Sequence, residues 1–215
     1  MAALIFRSVA DGRVPYCLGL PRDVPDAHRV LVERDELREM RFSYGGMPFL
    51  PDEVRSEFYL HSAHKALTDT FSVCACWGCS AAFRAEVERL EPGVHQFFPI
   101  RITRPRSKKP ILRRDGQEVG PDDVFLFNCL QLVDAVLPEL SSGPGLMPPH
   151  PSGLLGFSVR TDDICVSRSA IAGRHIWHGD FHNRSGAYFF VSDELLAGFR
   201  RAGLKGFEVR PVREA

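Results

Sequence analysis

The alternation of apolar and polar positions predicts one helix clearly, between Ser80 and Pro92. Phe83, Val87 and Leu90 recur at i, i+4 and i+7, the spacing that places side chains on one face of an α-helix. Ser80 is a good N-cap, because its hydroxyl oxygen can accept a backbone N–H that the first helical turn leaves unpaired. The Pro-Gly pair after the helix ends it, and a strand is expected to follow.

The same layout returns at the C-terminal end of the chain. Ser192 precedes a predicted helix over residues 193–202, and glycines then admit a final strand. Nineteen positions separate Ser80 from Pro99, and nineteen separate Ser192 from Pro211. Because internal self-similarity signals repeated structural units, the sequence predicts a pseudo-duplicated domain. Each half contains a capped helix that leads into a strand ending at proline.

Gln96 and Glu208 occupy matching positions of this repeat, and each is a polar residue within an otherwise apolar strand. They are interpreted first as residues on the solvent side of an edge strand. The alternative is that each forms a hydrogen bond that fixes the corner between helix and strand.

Shorter apolar segments predict strands elsewhere, so the expected fold class is α+β with a mixed or antiparallel sheet in each half. These segments are 4–9, 94–103, 154–159, 163–167, 171–178 and 187–191. Residues 124–140 fit either a helix or a strand, because leucines recur at helical spacing after a good strand opening. A Pro- and Gly-rich stretch, 138–153, is expected to join halves at about 65–137 and 153–215, and residues 1–64 to form a loop-rich N-terminal extension.

Composition narrows the functional classes. Of 215 residues, 44% are apolar and 25% charged, as in ordinary folded domains, and 27 basic side chains balance 27 acidic ones. Zero net charge argues against a dedicated binder of nucleic acid or acidic membranes, since such proteins depend on an excess of Lys and Arg. No apolar run approaches the roughly 20 residues that span a bilayer, and residues 1–9 are too short for a secretory signal, so a cytoplasmic location is expected.

One segment departs from this charge balance. Residues 104–114 are strongly basic, with Ser107-Lys108-Lys109 at the centre. We interpret the run as a hairpin tip exposed to solvent, because a short run of like charges is commonly a solvated surface. A local binding patch stays compatible with zero net charge.

Cys74, Cys76 and Cys79 form the densest cluster of potential metal ligands. Thiolates at this spacing can bind zinc, but a structural zinc site needs a fourth ligand, which Cys129, Cys165 or a histidine would have to supply. The favoured interpretation is buried free thiols, because cytoplasmic cysteines are rarely paired and a free cysteine packs as a small apolar residue.

A second cluster, His175-x-x-His178-x-Asp180-x-His182, also combines metal-binding side chains. A strand would place the last three of them on one face, yet the glycines and polar residues nearby favour a loop. No P-loop, nucleophile elbow, dinucleotide fingerprint or His-Glu-x-x-His motif occurs in the sequence, so no cofactor, metal or catalytic residue is predicted.

Several segments resemble the eleventh family of bacterial immunity proteins, which are found beside polymorphic toxins. Residues 191–195 and 202–212 resemble the family's C-terminal signature, residues 171–177 the strand before it, and residues 125–134 its central segment. The resemblance covers roughly residues 65–215, and the first 65 residues add nothing to it. It implies a non-enzymatic protein that binds a cognate toxin and occludes the toxin's active site.

A protein-binding surface would suit the segment around Trp177, since Trp and Arg are enriched at binding hot spots. The candidate toxin interface comprises Arg174, His175, Trp177, His178, Asp180 and His182. Two alternatives stay open. One is a zinc-dependent enzyme or zinc-stabilised module that uses Cys74/Cys76/Cys79 or His175/His178/His182. The other is a scaffold whose linker, residues 138–153, docks a partner.

Overall fold

The computed structural model describes most of the chain. It covers residues 2–6, 15–20, 27–32, 38, 45–61, 63–74, 76–104, 107, 109–142, 146–147, 156–157, 163–179 and 188–215, and it describes the backbone alone at residues 4, 6, 146, 147, 156, 157 and 188. The strands within these residues are β1 (Ala2–Phe6), β2 (Tyr16–Leu18), β3 (Glu57–Leu60), β4 (Thr70–Val73), β5 (Cys76–Ser80), β6 (Gln96–Pro99), β7 (Arg101–Thr103), β8 (Val124–Asn128), β9 (Leu132–Val133), β10 (Leu146–Met147), β11 (Gly156–Phe157), β12 (Cys165–Val166), β13 (Ile176–Gly179), β14 (Tyr188–Ser192) and β15 (Glu208–Glu214). The helices are α1 (Ala81–Leu90) and α2 (Asp193–Arg201), and a 3-10 helix occupies Pro138–Leu140.

Both helices begin where the sequence predicted, because a serine caps each of them. The Ser80 hydroxyl oxygen accepts the Phe83 N–H at 3.3 Å, and the Ser192 oxygen accepts the Leu195 N–H at 3.2 Å. Each serine is also the last residue of the strand before it, so strand and helix are contiguous. Phe83 and Val87 are buried, which confirms the predicted apolar face of α1. No helix among the described residues is long and apolar enough to cross a membrane.

Seven strands form one sheet in the order β6-β8-β5-β4-β2-β3-β7. Its two edge strands, β6 and β7, are consecutive in the chain and separated only by Ile100. A sheet whose opposite edges are joined by one residue has to curl, so its strands wrap around an apolar interior. Phe58, Phe71, Phe98 and Leu126 are among the buried residues of this interior.

Six strands form the second sheet in the order β12-β15-β1-β14-β13-β9. A shared apolar cluster joins both sheets and both helices, and it includes Trp77, Phe127, Phe189, Phe83 and Phe199. The rings of Phe83 in α1 and Phe199 in α2 stack with centroids 4.8 Å apart, and Trp77 meets Phe189 at 4.8 Å. Aromatic pairs at this range stabilise a core beyond the area that they bury. The two sheets with their helices therefore match the predicted α+β class.

Five neighbouring strands run in the same relative directions in both sheets: β6-β8-β5-β4-β2 in one and β15-β1-β14-β13-β9 in the other. In each set the first four strands are antiparallel to their neighbours, and the fifth is parallel to the fourth. The register also agrees at the two equivalent prolines. Pro99 of the first strand lies opposite Phe125 of β8, and Pro211, its counterpart in the other set, lies opposite Ala3 of β1. The two sets differ in where their second strand lies along the chain. In the first set β8 comes after β6, whereas in the second set β1 comes before β15 and α2.

Some details of the predicted elements were wrong. β6 ends at Pro99 as expected, but β15 continues through Pro211 to Glu214. Residues 124–140, for which both a helix and a strand were open, hold two strands and a 3-10 helix. Within 171–178 the strand starts only at Ile176, after a turn. The predicted linker, 138–153, lies partly outside the described residues.

Strands from the first 64 residues lie within both sheets. β1 pairs with β14 on one side and with β15 on the other, at the centre of the six-stranded sheet. β2 and β3 are neighbours in the seven-stranded sheet. Both sheets therefore combine strands from the first 64 residues with strands from later in the chain, and the predicted division after residue 64 stays a prediction.

Candidate functional site

A buried carboxylate lies where the two sheets meet. Glu91 directly follows the last residue of α1 and is 4% exposed. Its Oε2 accepts a hydrogen bond from His95 Nε2 at 2.7 Å, and its Oε1 accepts one from Gln131 Nε2 at 2.8 Å. The backbone N–H groups of His175 and Ile176 also donate to it, at 2.6 and 3.2 Å. Donors from both halves of the chain therefore converge on one carboxyl group.

These hydrogen bonds define the chemical state of the carboxylate. His95 Nδ1 accepts the Leu130 N–H at 3.2 Å, so the ring hydrogen sits on Nε2 and points to Glu91. Burial by itself would raise the pKa of Glu91, but hydrogen bonds from His95, from the His175 N–H and from Gln131 together lower that pKa. A carboxylate has about four acceptor positions, and four donors occupy them. Glu91 is therefore a structural anion rather than a general base.

The same network holds the segment 174–178 in place. Arg174 Nη1 donates to Gln131 Oε1 at 2.9 Å, and the His178 N–H donates to the Gln131 carbonyl at 2.9 Å. His175 Nδ1 lies 2.9 Å from the hydroxyl of Ser192, the N-cap of α2. Side chains that leave this segment toward solvent are thus presented on a backbone that is already ordered, which lowers the entropic cost of binding a partner.

The structure separates the predicted interface residues by burial. Arg174 is exposed and His175 is partly exposed, whereas Trp177 is fully buried and His178 is 7% exposed. Trp177 stacks on Phe190 with ring centroids 5.6 Å apart, inside the core of the six-stranded sheet. Of these four residues, only the first two therefore offer side chains to a partner in this conformation.

The other two predicted interface residues, Asp180 and His182, lie outside the described residues. Their place in an interface stays a prediction.

His178 is enclosed by a loop from the N-terminal part of the chain. Gly45 has a φ of +82°, and a Cβ built on it would come within 2.0 Å of His178 Cδ2. The imidazole also lies against Phe189, with ring centroids 4.4 Å apart. Burial, and after it the neighbouring His95, lowers the pKa of His178 to about 3, so the ring is neutral at neutral pH.

The three clustered cysteines do not converge on one point. Cys74 and Cys76 face the interior of the seven-stranded sheet, whereas Cys79 belongs to the cluster shared between the sheets. Successive residues of a strand point to opposite faces, so the odd spacing between Cys76 and Cys79 separates their thiols. Among the residues that the structure describes, no three His, Cys, Asp or Glu side chains are arranged to hold a metal ion.

The whole chain was compared with known protein families. The immunity protein family Imm11 matches residues 10–214. The chain belongs to the Imm11 family. No curated protein matches it significantly in sequence. The match confirms the resemblance identified from the C-terminal motifs and extends it, since it starts at residue 10 rather than at about 65 and so includes β2 and β3 of this Imm11 protein.

Sequence reasoning missed three residues that shape the surface beside Arg174. Gln131 and Glu91 anchor it, and Leu132 is 48% exposed on β9, opposite His178 of β13. One signal was available for Glu91. A carboxylate at the end of a helix is unfavourable beside the negative end of the helix dipole, which indicates that such a residue has another partner.

Proposed function

We propose that this Imm11 protein binds a cognate bacterial toxin and neutralises it by covering the toxin's active site. The family match over residues 10–214 carries the proposal. The state of Glu91 supports it, because a buried carboxylate saturated by four donors stabilises a binding surface and has no lone pair free for proton transfer. Inhibition of this kind is stoichiometric, and a specific interface of about 800 Å² per partner would suffice.

The proposed toxin contact is centred on Arg174. Its guanidinium is exposed and is held by Gln131 at 2.9 Å, with His175 partly exposed next to it. Leu132 adds an apolar side chain that is 48% exposed on the adjoining strand. Arginine is one of the residue types enriched at binding hot spots, and this one is held in place by Gln131.

We place this inhibition in the cytoplasm of the cell that makes the protein. All six cysteines are free and buried, which suits a reducing compartment. A toxin neutralised there would be one that acts on an intracellular target.

The neighbouring toxin gene provides the test. Co-expression of this protein is expected to restore growth to cells that express the toxin, and a catalytically inactive toxin is expected to bind the purified protein at a ratio of one to one by titration calorimetry. The proposal fails if the neighbouring toxin neither binds this protein nor loses its toxicity in its presence.

We also infer that the two five-strand sets arose by duplication, with β1 as the counterpart of β8 that has moved to the start of the chain. The support is the shared order, direction and register of the sets. Ala2 lies opposite Val212, so a short linker could join Ala215 to Met1 as a hairpin. A circular permutant with that linker, opened between β1 and β2, is expected to fold with near-native stability. A permutant that stays unfolded would contradict the inference.

A further inference from the structure

In the edge strand β7, the backbone groups of the central residue, Ile102, are left unpaired by the strand's own sheet. β7 is the last strand of the seven-stranded sheet, and among the strands that the structure describes it pairs only with β3, in parallel. The Arg101 N–H donates to the Ser56 carbonyl at 2.7 Å, so the backbone groups of Arg101 face β3. Because these groups alternate in direction along a strand, the N–H and C=O of Ile102 face away from the sheet. That orientation is the one that accepts an added strand.

A groove of about 650 Å³ borders β7 and is closed on its other side by residues 109–121. These residues turn back on themselves, as the Val119 N–H donates to the Ile111 carbonyl at 2.9 Å. Ile100, Ile102 and Ile111 line the groove and are themselves buried, which gives it an apolar floor. The volume is within the range of about 300–1,000 Å³ that is usual for ligand sites.

The rim of this groove is basic. The described residues that line it include three basic side chains and one acidic one, although the chain as a whole has no net charge. Arg101, Arg104 and Lys109 line the groove, with Glu118 as the acidic exception. Arg113 forms ion pairs with carboxylates, but Arg101 and Lys109 form none with the described residues.

We propose that the groove binds an extended, acidic segment of the toxin, which pairs with the free side of β7 as an additional strand. This inference rests on the proposed function, because it takes the segment to belong to the toxin. Backbone groups of Ile102 would pair with the segment, alternate side chains would enter the apolar floor, and acidic side chains would meet Arg101 and Lys109. A second copy of β7 is disfavoured as the occupant, since its like charges would repel this edge.

A nucleic acid fits this groove less well than a peptide does. Proteins that bind single strands without a strong sequence preference stack the bases on aromatic side chains. The described residues that line the groove are aliphatic, basic or small apart from Glu118, and none of them is aromatic. Aliphatic floor residues beside an open strand edge favour an extended polypeptide.

The test compares two variants with the same change in net charge. Arg101→Glu combined with Lys109→Glu reverses the rim, and Arg201→Glu combined with Lys205→Glu reverses exposed charges on and after α2. The probe is the catalytically inactive toxin encoded beside this protein. We expect the first variant to bind at least tenfold more weakly than the wild type and the second to bind within twofold of it, with circular dichroism showing that both are folded.

Hydrogen exchange supplies a readout that altered charge alone would not change. The amide of Ile102 is expected to gain protection when the toxin is bound. If the wild type binds the toxin but the rim variant binds equally well, or if the Ile102 amide gains no protection, the groove proposal is overturned and the proposed function stands. If the wild type fails to bind, both are overturned. If the rim variant loses affinity only for a labelled RNA and keeps its affinity for the toxin, the groove is a nucleic-acid site and the peptide proposal is overturned.

Discussion

Replacement of His178 by phenylalanine is expected to make the protein less sensitive to acid. The folded protein holds this imidazole neutral, because burial, together with the neighbouring His95, lowers the pKa of His178 to about 3 from its ordinary value of 6.5. The unfolded chain binds a proton on the same ring as soon as the pH falls below about 6.5. Protonation therefore favours the unfolded state, and the free energy of unfolding falls as the pH falls from 6.5 toward 3.

The size of the effect follows from this window. Between the pKa of about 3 in the folded protein and about 6.5 in the unfolded chain, each pH unit of acidification removes about 1.4 kcal/mol from the free energy of unfolding for one group. Between pH 7 and pH 5 the wild type should therefore lose about 2 kcal/mol through His178 alone. Phenylalanine at this position keeps an aromatic ring against Phe189 and beneath Gly45, but it cannot take up a proton.

Urea unfolding of both proteins at pH 7 and pH 5 measures the difference. The other titrating groups are shared by the two proteins, so they largely cancel when the two pH-dependent losses are subtracted. We expect the wild type to lose about 2 kcal/mol more than His178→Phe over this interval. Equal losses in the two proteins, within about 0.5 kcal/mol, would show that the ring is accessible to protons in the folded state and would refute the reasoning.

Three further results are expected. Glu91→Leu leaves the four buried donors at this site without an acceptor. The free energy of unfolding, measured with a chemical denaturant, should therefore fall by about 3–5 kcal/mol. A loss below about 1 kcal/mol would contradict the proposed role of the network. Ser192→Ala removes the cap of α2 and the partner of His175 Nδ1. The free energy of unfolding should fall by about 1–2 kcal/mol. The melting temperature of this variant should therefore be lower than that of an Ala197→Ser control. Arg174→Glu should weaken toxin binding at least tenfold without changing the melting temperature, whereas Arg201→Glu should bind as the wild type does; equal binding by both would remove Arg174 from the proposed interface.

The elements predicted best were those whose signals lie close together in the sequence. α1 occupies Ala81–Leu90 because a capping serine and three apolar residues at helical spacing act within a few turns of chain. β8 was ambiguous because all five of its residues are buried, and a strand covered on both faces loses the alternation that identifies strands. The same burial on both faces explains why Trp177 was assigned to a surface.

The candidate site was predicted only in part, for a related reason. Arg174 and His175 remain accessible, and their segment was identified from its residue types. Glu91 was missed because three of its four donors, the Gln131 side chain and two backbone N–H groups at the start of β13, lie some 40 to 85 positions away. Side chains of Glu are mostly exposed, so nothing in its immediate neighbourhood except its place at a helix end indicated burial.

By itself, the sequence determined the two capped helices, their matched spacing to Pro99 and Pro211, and the family. Those features depend on hydrogen bonds and periodicities that span a few residues each. Only the tertiary structure decided that β1 lies between β14 and β15, which brings Ala2 opposite Ser192. It also decided that Cys74 and Cys76 lie in the interior of the seven-stranded sheet, whereas Cys79 lies in the cluster shared between the sheets. Strand pairing and burial depend on partners far away in the chain, and apolar contact by itself does not specify which partner a strand takes.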